Sequence, residues 1–309
     1  MLRVGIVVLL LAMVLSASVA MSADPAPAKR PPPEQQLYPT LEEAGAALLG
    51  AMRSSDGRQI RAVLGPGSGA LIASGDRSAD QAMRKNFVAA YEQAAKFDRD
   101  GDAKATLLLG EKEFPFPFPL VKEGARWRFD AKTGAEEIVA RRVGDNELAA
   151  MRVCLAYVDA QREYVLKDRD SAGFLVYAQK LASTPGKRDG LYWDTKDGEP
   201  RSPFGPIAVQ AQGRASEERN AYHGYRYKIL TGQGSDAPGG AYDYVVRGRM
   251  IGGFALVAYP VRWGVSGVVT FMVNHDGAVY EKNLGQNTGE IAAKLTLFNP
   301  DSTWTKSKP

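Results

Sequence analysis

Cysteine and histidine are nearly missing from this chain, and each scarcity removes a class of chemistry. A single cysteine, Cys154, stands in 309 residues, so no internal disulfide can form and stability has to come from packing. It lies between Val153 and Leu155 in an apolar helical pattern, the setting of a small buried hydrophobe rather than a nucleophile. The two histidines, His223 and His275, have neither H-x-x-x-H spacing nor cysteine partners, so no zinc site is expected. No G-x-S-x-G elbow exists to present a serine. Gly248–Gly253 lacks the G-K-[ST] ending of a phosphate loop, and no cofactor motif replaces it. Charge of one sign is not in large excess either. The formal net charge of +4 is spread over alternating signs, which argues against a nucleic-acid partner.

Long apolar runs are confined to the beginning. Arg3 precedes the apolar stretch Val4–Leu15, and Ser18-Val19-Ala20 offers small residues at the −3 and −1 positions of a cleavage site. The stretch is shorter than the ~20 residues that span a bilayer. Residues 1–20 therefore read as a signal peptide, with no stable membrane span after cleavage and a periplasmic or secreted destination. Residues 21–37 follow as a Pro/Ala-rich tether, "ADPAPAKRPPPEQQ" at its centre.

The pattern of the remaining chain predicts an α+β protein of two domains, residues 38–143 and 144–309, each with helices on an antiparallel sheet. Thr40-Leu41-Glu42-Glu43 is a capping box, and Leu41, Ala44, Leu48 and Met52 share one helical face. Further helices are expected over Asp56–Leu64 and Ala79–Phe97, with Asp98–Asp102 as a turn and Ala105–Leu109 as a strand. In "EFPFPFPLVKEGARWRFD", Phe114, Phe116 and Phe118 alternate with three prolines. Period two puts the rings on one face, and prolines suit only an edge strand. A hairpin through Glu123-Gly124 to Trp127–Phe129 follows. Thr133–Glu136 is a second capping box, expected to start a helix ending at Val139. A long amphipathic helix is expected from Asp145, with Leu148, Met151, Leu155 and Val158 on one face, flanked by Cys154 and Tyr157. "GVVTFMVNHDGAVYEKNLG" reads as a hairpin turning at Asn274–Gly277.

Helices followed by a sheet ending in "LVKEGARWRFD" resemble the nuclear-transport-factor-two-like cone over Tyr38–Val143. Enzymes on that fold place Asp and His inside the cone, and this segment contains no histidine. Asn146, Glu147, Ala149, Ala150, Ala160, Gln161 and Tyr164, with the terminal hairpin, resemble a type IV pilin or pseudopilin headgroup. The residues before Asp145 do not form the apolar half-helix that a filament requires. Taken together, "GEKEFPFPFPLVKEGARWRFD", "GDNELAAMRVCLAYVDAQREY", "STPGKRDGLYW" and "RMIGGFALVAYP" resemble the exported bacterial family known as domain of unknown function 2950. That resemblance implies an exported location and no settled activity.

One loop resembles a calcium site. Asp168, Asp170 and Gly173 match its first, third and sixth positions, but Ala172 and Gln179 stand where the fifth and twelfth ligands belong. No metal is assigned. Function is expected instead at the long segment Ser183–Pro206, since loops above ~15 residues are uncommon unless functional or disordered. There Lys187, Arg188, Asp189, Tyr192 and Trp193 combine a forked donor with flat aromatic faces, and Tyr222, His223 and Tyr225 are expected to adjoin them. The reading that results is a non-catalytic binding or interaction module for an envelope protein or small ligand. The alternative is a carboxylate-based envelope hydrolase or isomerase acting in the first domain. The leader makes its own prediction: N-terminal sequencing of protein extracted from the envelope should begin near Met21, and an intact Met1 would refute the signal peptide.

Overall fold

The computed structural model describes residues 33–69, 77–167, 173, 175–195, 198–199, 201–205 and 221–307. The expected leader and most of the tether lie outside them, as do residues 168–172 of the calcium-like loop. Helices and antiparallel sheets together make an α+β fold.

The first core is built from three helices and one sheet. Thr40 caps α1 (Leu41–Ser54) by accepting the amide of Glu43 at 3.1 Å, and the expected face, Leu41, Ala44, Leu48 and Met52, is buried. Asp56 caps α2 (Gly57–Leu64). The next helix, α3 (Arg77–Gln93), stops short of Phe97. Residues Ala95–Asp100 instead form β1, paired with β2 (Lys104–Leu109) across a tight turn at Gly101. Polar Lys96, Asp98 and Asp100 alternating with Phe97 give this segment the period of a strand. The sheet runs β1-β2-β4-β5, with β4 (Leu120–Glu123) and β5 (Arg126–Phe129) forming the expected hairpin.

The proline–phenylalanine strip is held on β2 through β3 (Phe114–Pro115). Phe116 and Phe118 are buried, with Phe116 edge-on to Phe87 at 5.3 Å. Phe114 departs from the expectation, being 61% exposed. It lies past the margin of the core, where the Arg141 guanidinium covers its ring at 5.1 Å and donates to the Pro115 carbonyl.

The expected break between Val139 and Asp145 does not exist. Helix α4 runs unbroken from Ala131 to Val165, about 50 Å at the α-helical rise. Asp130, not Thr133, is the cap: its carboxylate accepts the amides of Lys132 and Thr133 and the Thr133 hydroxyl. Burial raises the pKa of this carboxyl, but those donors and Arg128 outweigh it and hold it below the usual range. No proline interrupts the segment, and a Glu137–Arg141 pair at 2.8 Å supports its middle. Gly134 is required here, because a Cβ would come within 2.2 Å of the Phe118 ring.

The second core lies between the C-terminal half of α4 and a six-stranded antiparallel sheet, ordered β16-β14-β13-β12-β7-β6. Its strands are β6 (Ala221–Tyr222), β7 (Tyr225–Leu230), β12 (Ala255–Pro260), β13 (Thr270–Asn274), β14 (Val279–Lys282) and β16 (Thr305–Lys306). The short strands β8 (Gly232–Gln233), β9 (Tyr242–Asp243) and β15 (Leu297–Phe298) form a separate small sheet, and β10 (Val245–Val246) pairs with β11 (Arg249–Met250). The β13–β14 hairpin turns at Asn274–Gly277 as expected, but β13 starts at Thr270 rather than Val268. The amides of Val268 and Val269 go instead to the Glu147 carboxylate, at 2.8 and 3.1 Å. Asn146 donates to the Ser266 carbonyl, and the Tyr164 hydroxyl donates to the Arg188 carbonyl.

Deeper in the core, the fully buried Gln161 amide accepts from the Ala178 N–H and donates to the Ala178 carbonyl, both at 2.8 Å. Its nitrogen also reaches the Tyr157 hydroxyl, which donates to the Ala255 carbonyl. Replacing Gln161 by Leu strands two buried backbone groups. It should lower stability by about 2–4 kcal/mol, whereas Gln179→Ala, at an exposed hydrogen bond, should cost under ~1 kcal/mol; thermal melts of the two variants check the difference.

Candidate functional site

The loop singled out by the sequence is largely occupied with its own architecture. Asp189 accepts the Thr184 amide at 2.7 Å, the Thr184 hydroxyl at 2.9 Å and the Lys180 ammonium at 2.7 Å. Lys180 is the main reason its carboxyl lies well below the usual range. Ser183 and Tyr192 bond through their backbones. Tyr192 is buried and donates its hydroxyl to Asp194. Trp193 belongs to the second core at 8% exposure, beneath the Arg188 guanidinium at 5.6 Å, which also pairs with Glu199 at 3.2 Å. Lys187 stands exposed at the tip of the loop.

The other expected residues occupy a different element. His223 and Gly224 both have positive φ, 49° and 70°, and form the two-residue turn between β6 and β7. His223 is thus a turn residue rather than the first residue of a strand. Tyr222 is half-buried, its ring 4.2 Å from that of His223. Tyr225 is fully buried, and its hydroxyl donates to the Val269 carbonyl at 2.7 Å. Of the eight residues, Lys187, Arg188 and His223 are exposed, while Tyr192, Trp193 and Tyr225 pack inward.

A surface that sequence reasoning missed lies on α4. Of the expected apolar face and its flanks, Val158, Cys154 and Tyr157 are buried, whereas Leu148 is 53% and Leu155 is 36% exposed. The buried face is Ala150, Val153, Cys154, Tyr157, Val158 and Gln161. The core side carries Tyr157 and Gln161, which must face inward to reach the Ala255 carbonyl on β12 and the backbone of Ala178. Burial pushes the Cys154 thiol up to about 12, leaving it protonated and unreactive.

Met151 and Leu155 form one wall of a groove of about 280 Å³. Its other side is the β13–β14 turn and the sheet margin, including Asp276, Ala278, Val279 and Ser307. Ser307 is fixed there by its amide to the Val279 carbonyl and its hydroxyl to Glu281. At one end Arg162 donates to the His275 carbonyl. The His275 ring is wedged edge-on against Tyr244 and Phe254, with Nε2 3.4 Å from the Tyr242 hydroxyl and 3.8 Å from Asp276. Gly253 makes room, since a Cβ there would meet Nδ1 at 2.8 Å. His275 is therefore a packing element of the groove's rim. The one signal for this site was two apolar periodicities on α4 competing for a single core.

Among the described residues, no group of three or more His, Cys, Asp or Glu is placed to hold a metal ion, and no helix is long and apolar enough to cross a membrane. Among the described residues Asp80 on α3 is the one buried carboxylate.

Two cores on one helix, with a groove at the margin of the second sheet, define an α+β protein. The chain belongs to the family described as "Protein of unknown function (DUF2950)", whose model matches residues 35–307 and so takes in both cores. No curated protein and no solved structure matches it. The burial of Trp193 sets a test of the loop: Trp193→Ala should cost about 3–5 kcal/mol of stability, and Arg188→Ala about 1 kcal/mol or less, as chemical denaturation would measure.

Proposed function

We infer that this is an exported, non-catalytic interaction protein of the bacterial envelope, periplasmic or secreted, that holds a partner in the groove beside α4. Export is supported by the apolar stretch Val4–Leu15 and the small residues Ser18 and Ala20. Two units, residues 38–143 and 144–309, meet within α4, the second carrying the contact surface. The observation behind the reading is the orientation of Leu148 and Leu155. A helix that already supplies a complete core face keeps a second apolar stripe in solvent, next to a groove with apolar walls. Exposed apolar surface of this kind, rimmed by charge, marks contact sites.

A photo-crosslinking residue placed at position 155 and expressed in the producing cell tests the idea. An adduct should form there and not at position 132, which is equally solvent-facing on the same helix, and Leu148→Glu should diminish it at least several-fold. Equal labelling at both positions, or none, refutes the proposal.

A further inference from the structure

Building on that reading, we propose that the partner contributes an extended strand, which adds to the outer edge of β16 and sends alternate apolar side chains into the groove. Among the described residues β16 is the terminal strand of its sheet, paired on one side only, with β14. The register sets Tyr280 opposite Lys306, and the Ser307 amide bonds to the Val279 carbonyl. Alternation along an antiparallel ladder then turns the N–H and C=O of Lys306 away from β14. Both Thr305 and Lys306 are exposed. This is the open edge on which an incoming strand makes main-chain bonds, with pockets reading every second side chain.

The two faces of that edge differ, and the difference specifies the incoming sequence. Ser307 bonds to Glu281 on the α4 side of the sheet, the side of the groove with Met151 and Leu155. Lys306 also borders the groove at the strand edge, while its register puts its side chain on the face of Tyr280. That face is shared further in by Lys282, whose ammonium donates to the Thr303 hydroxyl and lies over Trp304 at 5.8 Å. A strand bonded to Lys306 presents one residue beside this lysine, and its two neighbours point to the groove. Charge complementarity calls for an acidic residue between two apolar ones. The same charges oppose a second copy of this chain: two-fold pairing of β16 with itself brings Lys306 against Lys306, a known guard on edge strands.

The probe is a blocked heptapeptide, Val-Thr-Val-Glu-Val-Thr-Val, titrated into the mature full-length chain by fluorescence anisotropy. Amide exchange at Lys306 is followed in parallel. Saturable binding is expected, with exchange at Lys306 slowed at saturation. Methylating the Glu nitrogen, replacing that Glu by Lys, or introducing Leu155→Glu in the protein should each weaken binding at least tenfold. No saturable binding, equal binding of the N-methylated peptide, or unchanged exchange at Lys306 overturns strand addition. Self-association of the protein with Lys306 protected overturns it in favour of a second copy. Lys306→Pro separates this proposal from the broader one. If crosslinking at position 155 survives that change, the groove binds something other than an added strand. If crosslinking fails in the unaltered chain, the contact surface itself is wrong.

Discussion

Gln161 and the backbone of Ala178 exchange hydrogen bonds in both directions at a site closed to water, and the second half of the molecule is arranged around that exchange. Strand residues normally satisfy each other, but Ala178 belongs to an irregular segment and takes its partners from a helix instead. The same helix does this repeatedly. Asn146 holds the Ser266 carbonyl, Glu147 holds two consecutive amides, and Tyr164 holds the Arg188 carbonyl. Buried backbone groups left without partners cost roughly 1–3 kcal/mol each, so these side chains decide which loops can be brought inside.

That use of polar residues explains the odd distribution of the apolar ones. The core side of α4 must carry Gln161 and Tyr157 at the required positions and must lie close enough for their bonds to form. Alanine, valine and cysteine, with Tyr164 near the C-terminal end, fill the remaining core positions. Leu155 turns to the flank where the sheet ends at β14 and β16, and Leu148, two turns earlier, is exposed on the same side of the helix. A groove is the geometric consequence of a helix crossing a sheet without covering its margin. Its rim is stiffened by Arg162, by the wedged His275 and by Ser307. The groove wall and the packing of the second core thus come from one helix.

Several elements were legible in the sequence because their causes are local. A threonine three residues before a glutamate caps α1, and period two with a four-residue polar turn makes β13–β14. The residues that matched a pilin headgroup, Asn146, Glu147, Gln161 and Tyr164, are indeed special, but as anchors for loops within this chain. What eluded the sequence were competitions between equally good local signals. Thr133 and Asp130 both offer a helix cap, and the one nearer the end of β5 is used. Leu148, Met151 and Leu155 make as regular a stripe as the true core face. Tyr225 and Trp193 looked like aromatic contact residues, and both are interior.

The sequence by itself determined the fold class, the β4–β5 and β13–β14 hairpins and the impossibility of an internal disulfide, because these depend on residue type and on spacing within a few neighbours. The tertiary structure alone decided which face of α4 is buried, that α4 is one helix, and where a groove remains. Those outcomes depend on partners 17 to 122 positions away along the chain, as with Gln161 and Ala178 or Glu147 and Val269. Side-chain periodicity describes the shape of a helix but holds no record of which distant backbone groups it must satisfy.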